Sequence, residues 1–167
     1  MENNIFLGLG SNLGNKLQHL RKAVHLINES EGCEIINVSS VYESKPLNDL
    51  PHDNYYNAVV MIETSFPPDE LLMFTQFVEA FVGRKKRKEK WAPREIDVDI
   101  LFYNQLIYNY EDLKIPHPEA MKRDFVLIPM IEIAEDFIHP LFNEKIRYVD
   151  FSKVKKNIIR KLDSPLL

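Results

Sequence analysis

The sequence has very little cysteine, and this scarcity excludes two classes of protein. Its single thiol, Cys33, can form neither an internal disulfide nor a thiolate zinc site. Long apolar runs are also lacking, since the longest, from Phe125 to Ile131, is far short of the ~20 residues that span a bilayer. No basic start followed by an apolar core of signal-peptide length precedes the first predicted strand. We therefore expect a cytoplasmic protein.

A net positive charge is lacking as well. The formal net charge is −4, which argues against a general attraction to nucleic acid or to membrane surfaces. The 167 residues, 45% of them hydrophobic, are enough for one well-buried core and few for two, because single domains peak at roughly 100–150 residues. We expect one domain over residues 1–167.

The positive charge that is present lies in one short stretch, the basic segment Arg84–Arg94 with the sequence RKKRKEKWAPR. It holds seven of the 21 Lys and Arg residues and one acid, so it carries +6, and the other 156 residues therefore carry −10. A run of this kind is often a solvated loop or an import signal. Trp91 and Pro93 indicate instead that its end packs on the fold, as a lid over a nucleotide would. We expect residues 85–93 to be mobile until ligands are bound.

Two acidic residues follow the basic segment in the strand-like run EIDVDILF. Strand alternation places Asp97 and Asp99 on one face and the apolar residues of the run on the other, namely Ile96, Val98, Ile100 and Phe102. Paired acids on a strand usually face solvent, but carboxylates only about 6.6 Å apart along a strand repel each other unless a cation lies between them. Carboxylates and substrate phosphates together are the usual ligands of Mg²⁺. The pattern favours metal-assisted phosphoryl transfer.

Three other features leave alternatives open. The run GLGSNLG from Gly8 to Gly14 matches neither the dinucleotide-binding fingerprint nor the P-loop, so a tight turn is favoured over a phosphate loop. Asn57 lies in an apolar strand, where its amide must be satisfied either by the protein or by a ligand edge. His117, between two prolines, is either a turn residue or a phosphate ligand.

Apolar periodicity predicts the order βαββαβ with additions at the C-terminal end. An order of this kind predicts an α+β, ferredoxin-like sandwich, a mainly antiparallel sheet with helices packed on one face. A loop is predicted from Lys45 to Asn54, and a third helix from Asp124 to about Ala134. A basic surface helix is predicted at residues 153–162. The predicted strands are Ile5–Leu9, Glu34–Ser44, Tyr55–Thr64 and 95–102, and the first two predicted helices are Leu17–Ile27 and 67–82.

Several motifs resemble, in order, the signatures of a family of folate biosynthesis. They are FLGLGSNLG from Phe6, VSSVYES from Val38, YYNA from Tyr55, GR at Gly83, WAPREIDVDIL from Trp91, PHP at Pro116 and RDF at Arg123. The family is hydroxymethyl-dihydropterin pyrophosphokinase, and the resemblance spans roughly residues 4–140. The block that runs from Trp91 to Asp99 is its most specific part.

The resemblance implies transfer of a diphosphate from ATP to the hydroxymethyl group of 6-hydroxymethyl-7,8-dihydropterin, with AMP as the other product. It also implies two magnesium ions and a monomer without nucleic-acid or membrane partners. The implied metal ligands are Asp97 and Asp99, with Arg84 and Arg94 as further catalytic residues. The implied ATP contacts are Gln76, Glu79, Arg84, Lys86, Trp91, Arg94, Ile100, His117 and Arg123. The implied pterin contacts are Ser44, Leu47, Tyr55, Asn57, Trp91 and Phe125.

Two other classes of function compete with this one. A ferredoxin-like regulatory or ligand-binding module would keep the sandwich and a pocket, but it would not need Asp97, Asp99 and Arg94 together. A nucleic-acid-binding protein would use the basic segment. This second alternative is weaker, because the charge of −10 on the rest of the chain repels a phosphate backbone.

Overall fold

A six-stranded antiparallel sheet forms the centre of the structure, a computed structural model that describes residues 4–167. The sheet order is β5-β1-β4-β3-β8, and β2 also pairs with β4. The strands are β1 Ile5–Ser11, β2 Cys33–Val38, β3 Tyr42–Ser44, β4 Tyr55–Thr64, β5 Asp97–Tyr103 and β8 Ile158–Lys161, and a separate hairpin contains β6 Tyr108–Tyr110 and β7 Leu113–Ile115. The α-helices are α1 Lys16–Asn28, α2 Pro68–Val82 and α3 Asp124–Ala134, with 3₁₀ turns at Leu47–Asp49, Ala120–Lys122, Ile146–Tyr148 and Phe151–Lys153.

The predicted strand Glu34–Ser44 is two strands, which lie end to end along β4. The break begins at Ser39, whose hydroxyl oxygen accepts a hydrogen bond from the Val59 amide at 2.9 Å in place of a main-chain carbonyl. The next amide, that of Ser40, donates to the Glu132 carboxylate on α3 and not to β4. Side chains that compete for main-chain groups interrupt a ladder in this way.

Helices cover both faces of the sheet, so the prediction of helices on one face is wrong. Helices α1 and α2 enclose one apolar cluster, and α3 encloses a second cluster on the opposite face. A bulge in β5 hid the second cluster from the sequence pattern: Phe6 pairs with Phe102, whereas Leu7 pairs with Ile100. The extra residue, Leu101, shifts the alternation, and Phe102 packs in the second cluster instead of the first.

The predicted basic helix at residues 153–162 is also wrong. After the turn Phe151–Lys153 the chain enters β8, which pairs with β3. An unpaired strand edge offers a row of main-chain partners, and such tertiary pairing overrides the helix propensity of a lysine-rich segment. Within the described residues, no helix combines the length and the apolar character that a membrane crossing requires.

Candidate active site

A cleft of about 300 Å³ lies where β1, β4 and β5 run side by side. Its floor contains Gly8 and Gly10 of β1, which pair across the sheet with Asp99 and Asp97. A Cβ atom on Gly8 would lie 3.3 Å from a methyl group of Leu101, and one on Gly10 would lie 3.5 Å from the amide nitrogen of Asn57. The glycines thus keep the floor free of side chains, and this is what the sequence GLG does here.

One wall of the cleft presents a buried amide and aromatic rings. The Asn57 side chain is 5% exposed, and its Oδ1 atom accepts a hydrogen bond from the Ser44 hydroxyl at 3.1 Å. This contact orients the amide and leaves Nδ2 beside the floor. The rings of Tyr55, Trp91 and Phe125 line the same cleft. An oriented amide with aromatic faces around it can bind a flat, polar heterocycle.

Two carboxylates and two arginines meet at the other end of the cleft. The Asp97 Oδ1 atom is 3.1 Å from Nη1 of Arg84 and 2.9 Å from Nη1 of Arg94. Glu79 on α2 accepts from Arg84 and, at 3.2 Å, from the Val98 amide. The arginines are therefore held in place before any ligand arrives.

Asp99 lies beside this ion-pair cluster without an arginine salt bridge of its own in residues 4–167. Its side chain is exposed, but it lies within the concave walls of the cleft and of a second cavity. Removal from bulk water, and secondarily the charge of Asp97, raise the pKa of Asp99 to about 6. Burial likewise raises the pKa of Glu79 to about 7, although Arg84 opposes the shift. A bound cation would stabilise the ionised form of Asp99.

The raised pKa of Asp99 predicts a pH-dependent effect of Asp99→Asn. The ionised form is penalised in the folded protein relative to the unfolded chain. The penalty is therefore fully present above the folded pKa of about 6 and absent below the unfolded value of about 4. Without divalent cations, Asp99→Asn should raise Tm by about 1–3 °C at pH 8, a small gain because the open cleft screens the charge. The gain should vanish as the pH falls to about 4.

Thermal unfolding in EDTA across this pH range measures the effect. Asp163→Asn, which changes an exposed acid near the C-terminal end, is the matched control and should not alter Tm. A stabilisation that is constant with pH, or a lower Tm at pH 8, would rule out electrostatic strain at Asp99.

His117 lines both the cleft and a second cavity, also of about 300 Å³. Its Nδ1 atom accepts from the Glu119 amide at 3.1 Å. Burial, and then the charge of Arg123, lower the pKa of the imidazole. A neutral ring whose Nδ1 accepts carries its proton on Nε2, so His117 can donate a hydrogen bond to a ligand at neutral pH.

The second cavity, here called the side pocket, lies between β5 and the β6–β7 hairpin. The cleft and the side pocket have Asp99 and His117 in common. Its full lining is Leu72, Val98, Asp99, Ile100, Glu111, Asp112, Leu113, Lys114, His117 and Pro118. Two ligands bound in these cavities would meet at the shared residues.

The structure brings most of the predicted site residues together. The cleft is lined by Ser44, Leu47, Tyr55, Asn57, Trp91, Arg94, Asp97, Asp99, His117, Arg123 and Phe125, and the side pocket by Ile100. Arg84 and Glu79 lie behind Asp97 and contact it or each other. Gln76 and Lys86 are exposed and line neither cavity.

Sequence reasoning missed the residue that fixes the end of the basic segment. Asn12 is 2% exposed; its side-chain Oδ1 atom accepts from the main-chain amide of Arg94 at 2.7 Å, and its main-chain amide donates to the Arg94 carbonyl at 3.1 Å. An asparagine directly after a buried strand could have drawn attention to it. The hairpin residues of the side pocket, in contrast, stand in no recognisable pattern.

The arginines of the basic segment are tethered, which the sequence pattern did not predict. Arg87 pairs with Glu95 at 2.7 Å, and the Arg94 guanidinium also donates to the Lys90 carbonyl at 2.7 Å. The segment is thus held at its start, middle and end, and its four lysines are exposed. That residues 85–93 move on ligand binding stays a prediction.

The amino-acid sequence and the fold of this chain are similar to those of several known proteins. The family described as 7,8-dihydro-6-hydroxymethylpterin-pyrophosphokinase matches residues 6–135. A protein of Aquifex aeolicus, 2-amino-4-hydroxy-6-hydroxymethyldihydropteridine pyrophosphokinase, is 42% identical over 143 residues, which are 86% of this chain and 88% of that protein. The chain belongs to this family. The resemblance seen in the motifs is thereby confirmed, and membership favours a pyrophosphokinase over both alternatives.

Other relatives differ in length. The Bacillus subtilis protein of the same name is 39% identical over 135 residues, 81% of this chain and 80% of its own. The folic acid synthesis protein of Pneumocystis carinii is 40% identical over 137 residues, and these are 82% of this chain but 18% of that protein. The solved structure of Plasmodium falciparum HPPK-DHPS has a TM-score of 0.70 at 19% identity, covering 89% of this chain and 43% of its own. That likeness shows the fold.

Proposed function

We propose that this protein transfers the diphosphate group of ATP to the hydroxymethyl group of 6-hydroxymethyl-7,8-dihydropterin and releases AMP. Besides family membership, one observation carries the proposal: two cavities of small-ligand size meet at Asp99 and His117. A bisubstrate transfer needs this arrangement, because the acceptor hydroxyl and the β-phosphorus must be brought together in line.

The cleft is the proposed pterin subsite. Asn57, oriented by Ser44, reads the donor and acceptor edge of the pterin, and the rings of Tyr55, Trp91 and Phe125 stack on its faces. The main chain at Ser44 and Leu47 completes the edge contacts. The low exposure of Asn57 supports this role, because a buried amide without a matching ligand edge is costly.

The side pocket is the proposed nucleotide subsite, with the phosphates directed towards the cleft. Ile100 contacts the base, and Nε2 of His117 donates to a phosphate oxygen. Arg94 and Arg123 line the cleft and bind the phosphates that reach from the side pocket into it. Arg84 is held by Glu79 and Asp97 and adds a further positive charge next to Arg94. Fixed cations aimed at phosphate oxygens are the main contribution a protein makes to such a reaction.

Asp97 and Asp99 are the proposed ligands of two magnesium ions. Among residues 4–167 no group of three or more acidic, histidine or cysteine side chains forms a metal site by itself. Mg²⁺ nevertheless fits the two carboxylates, because it is usually bound by one or two of them plus substrate phosphates. The strain of ionised Asp99 beside Asp97 also favours a cation. The bound metal would neutralise charge on the transferred group.

In the proposed transfer, the pterin hydroxyl oxygen bonds to the β-phosphorus while the bond from that phosphorus to the α,β-bridging oxygen breaks. AMP leaves with the electron pair, and the hydroxyl proton passes to solvent or phosphate. The chain holds the two ligands in line and excludes water as the basic segment covers them.

We also propose that the scaffold is ferredoxin-like, with α3 and β8 as additions. The order β5-β1-β4-β2 and the two crossover helices on one face support this assignment. We further propose a cytoplasmic monomer without a nucleic-acid partner. The absence of a nucleic-acid partner is supported by the salt bridges that Arg84, Arg87 and Arg94 form with acidic residues of the same chain.

The subsite assignment predicts selective loss of pterin binding. Asn57→Ala and Phe125→Ala should each weaken pterin binding by about 1–3 kcal/mol, the scale of a lost buried hydrogen bond or a truncated stacking ring. Isothermal titration with a non-hydrolysable ATP analogue and Mg²⁺, followed by pterin, measures this. The affinity for the analogue in a pterin-free titration should be unchanged, and an equal loss there would place the residues in the wrong subsite.

A further inference from the structure

The C-terminal tail, residues 153–161, lies against two elements that carry cleft residues. Strand β8 pairs with β3, and Ser44 at the end of β3 is opposite Ile158. Lys155 forms an isolated bridge with Arg123, just before α3. The lining of the cleft within residues 4–167 ends at Val126. The tail can therefore influence the cleft only through the residues that it holds.

Asp124 joins the tail to the start of α3. It is 4% exposed and lies between Arg123 and Phe125, but its carboxylate does not cap the helix. Its Oδ2 atom accepts from the amides of Asn157 at 2.8 Å and Ile158 at 2.9 Å. A buried carboxylate that accepts two main-chain hydrogen bonds is a strong, charge-assisted contact.

Asn157 continues the connection to the opposite wall. It is 3% exposed; its carbonyl accepts from the Lys45 amide at 2.9 Å, and its Nδ2 atom donates to the Lys45 carbonyl at 3.4 Å. Lys45 lies between Ser44 and Leu47, and all three line the cleft. A continuous path of hydrogen bonds, from Asp124 through Asn157 to Lys45, thus joins the wall that carries Phe125 to the wall that carries Leu47.

We propose that this path, the Asp124–Asn157 clamp, fixes the spacing of the two walls and so sets the affinity of the cleft for the pterin. Asp124 and Asn157 are positioning residues, since neither lines the cleft. The inference rests on the proposed function, because it assumes that the cleft binds the pterin. It assigns a role to a tail that lies outside the matched family region, residues 6–135.

Three variants test the clamp. Asp124→Ala removes both acceptor contacts, and Asp124→Asn keeps an acceptor oxygen of the same shape. Asp150→Ala is the matched control, because Asp150 lies just before the tail and is exposed; its carboxylate accepts from Ser152 and makes one exposed ion pair, to Lys153 at 4.0 Å, but does not contact Asn157 or Ile158. For each variant, titration gives the Kd of the ATP analogue alone and then the Kd of the pterin, and thermal unfolding gives Tm.

Asp124→Ala should weaken pterin binding about tenfold, the scale of a lost buried charge-assisted contact, with less than about a twofold change for the ATP analogue. Asp124→Asn should recover most of the pterin affinity, and Asp150→Ala should match the wild type. If Asp124→Ala does not fold, Asn157→Ala, which removes only the contact to the Lys45 carbonyl, should weaken pterin binding about threefold.

Wild-type pterin affinity in a folded Asp124→Ala protein would overturn the clamp, even with a lower Tm. Equal weakening of both ligands would overturn it as well, because that is the result of a general structural role. Wild-type protein that binds no pterin would instead overturn the proposed function, and the clamp with it.

Discussion

Asp97→Ala and Asp99→Ala should each lower kcat about 10³-fold or more in protein that remains folded. Metal-borne stabilisation of a transferring phosphoryl group is worth several kcal/mol, and both carboxylates are proposed to hold the metal. Steady-state kinetics with saturating Mg²⁺ and ATP measure the loss. The matched control is Asp163→Ala, an exposed acid far along the chain, which should keep wild-type kcat.

The two variants should differ in stability although they share the loss of activity. Asp97 holds Arg84 and Arg94, so Asp97→Ala leaves both guanidinium groups without this partner and should lower Tm. Asp99 is instead strained in the free protein, so Asp99→Ala should keep or slightly raise Tm at pH 8. Retained turnover in folded Asp99→Ala protein would remove Asp99 from the metal site.

Arg94→Ala should lower kcat about 10²–10³-fold, the cost of removing one fixed charge from a transition state. The main-chain amide of Arg94 donates to Asn12, and its guanidinium group donates to Asp97 and to the Lys90 carbonyl, so both its main chain and its side chain are held before the proposed phosphate ligand binds. Arg94→Lys should rescue little, since a single ammonium group cannot reproduce the planar fork that makes two of these contacts.

Steady-state kcat for both variants, with Arg147→Ala as the control, measures the effect. Arg147 pairs with Asp136 on the surface and lines neither cavity, so its loss should not change kcat. Near wild-type kcat in Arg94→Lys would mean that only the charge at this position matters, and that the geometry around Arg94 has no catalytic role.

The sequence predicted the elements that local patterns determine. Strand β4 has the predicted bounds, and helix α2 begins at the proline cluster and ends before Gly83, because apolar periodicity and capping residues are local properties. The prediction of a helix in the tail was wrong because the lysines of the tail favour a helix in isolation, whereas only the fold brings the open edge of β3 next to the tail. The break at Ser39 and the bulge at Leu101 were not predicted for a similar reason, since both depend on which residues are paired across the sheet.

In the candidate site, too, residues set by local sequence could be predicted and residues brought together only by the fold could not. Asp97 and Asp99, with Trp91 and Arg94 just before them, could be found from one contiguous block, and the family prediction that rests on it is confirmed. The side-pocket residues Glu111–Lys114 could not, because they lie in the hairpin that directly follows β5 and stand in no recognisable motif, so only its folding back against β5 brings them to the site. The contact of the Glu79 carboxylate with the Val98 amide follows from the packing of α2 on β5 and carries no sequence pattern of its own.

The identity of the products tests the central proposal most directly. The protein is incubated with Mg²⁺, ATP and 6-hydroxymethyl-7,8-dihydropterin, and nucleotides and pterins are separated by liquid chromatography with mass detection. We expect AMP and the pterin diphosphate in equal amounts from the wild type, and neither from Asp99→Ala. Formation of ADP with a pterin monophosphate, or no product from folded protein that binds both ligands, would contradict a diphosphate transfer.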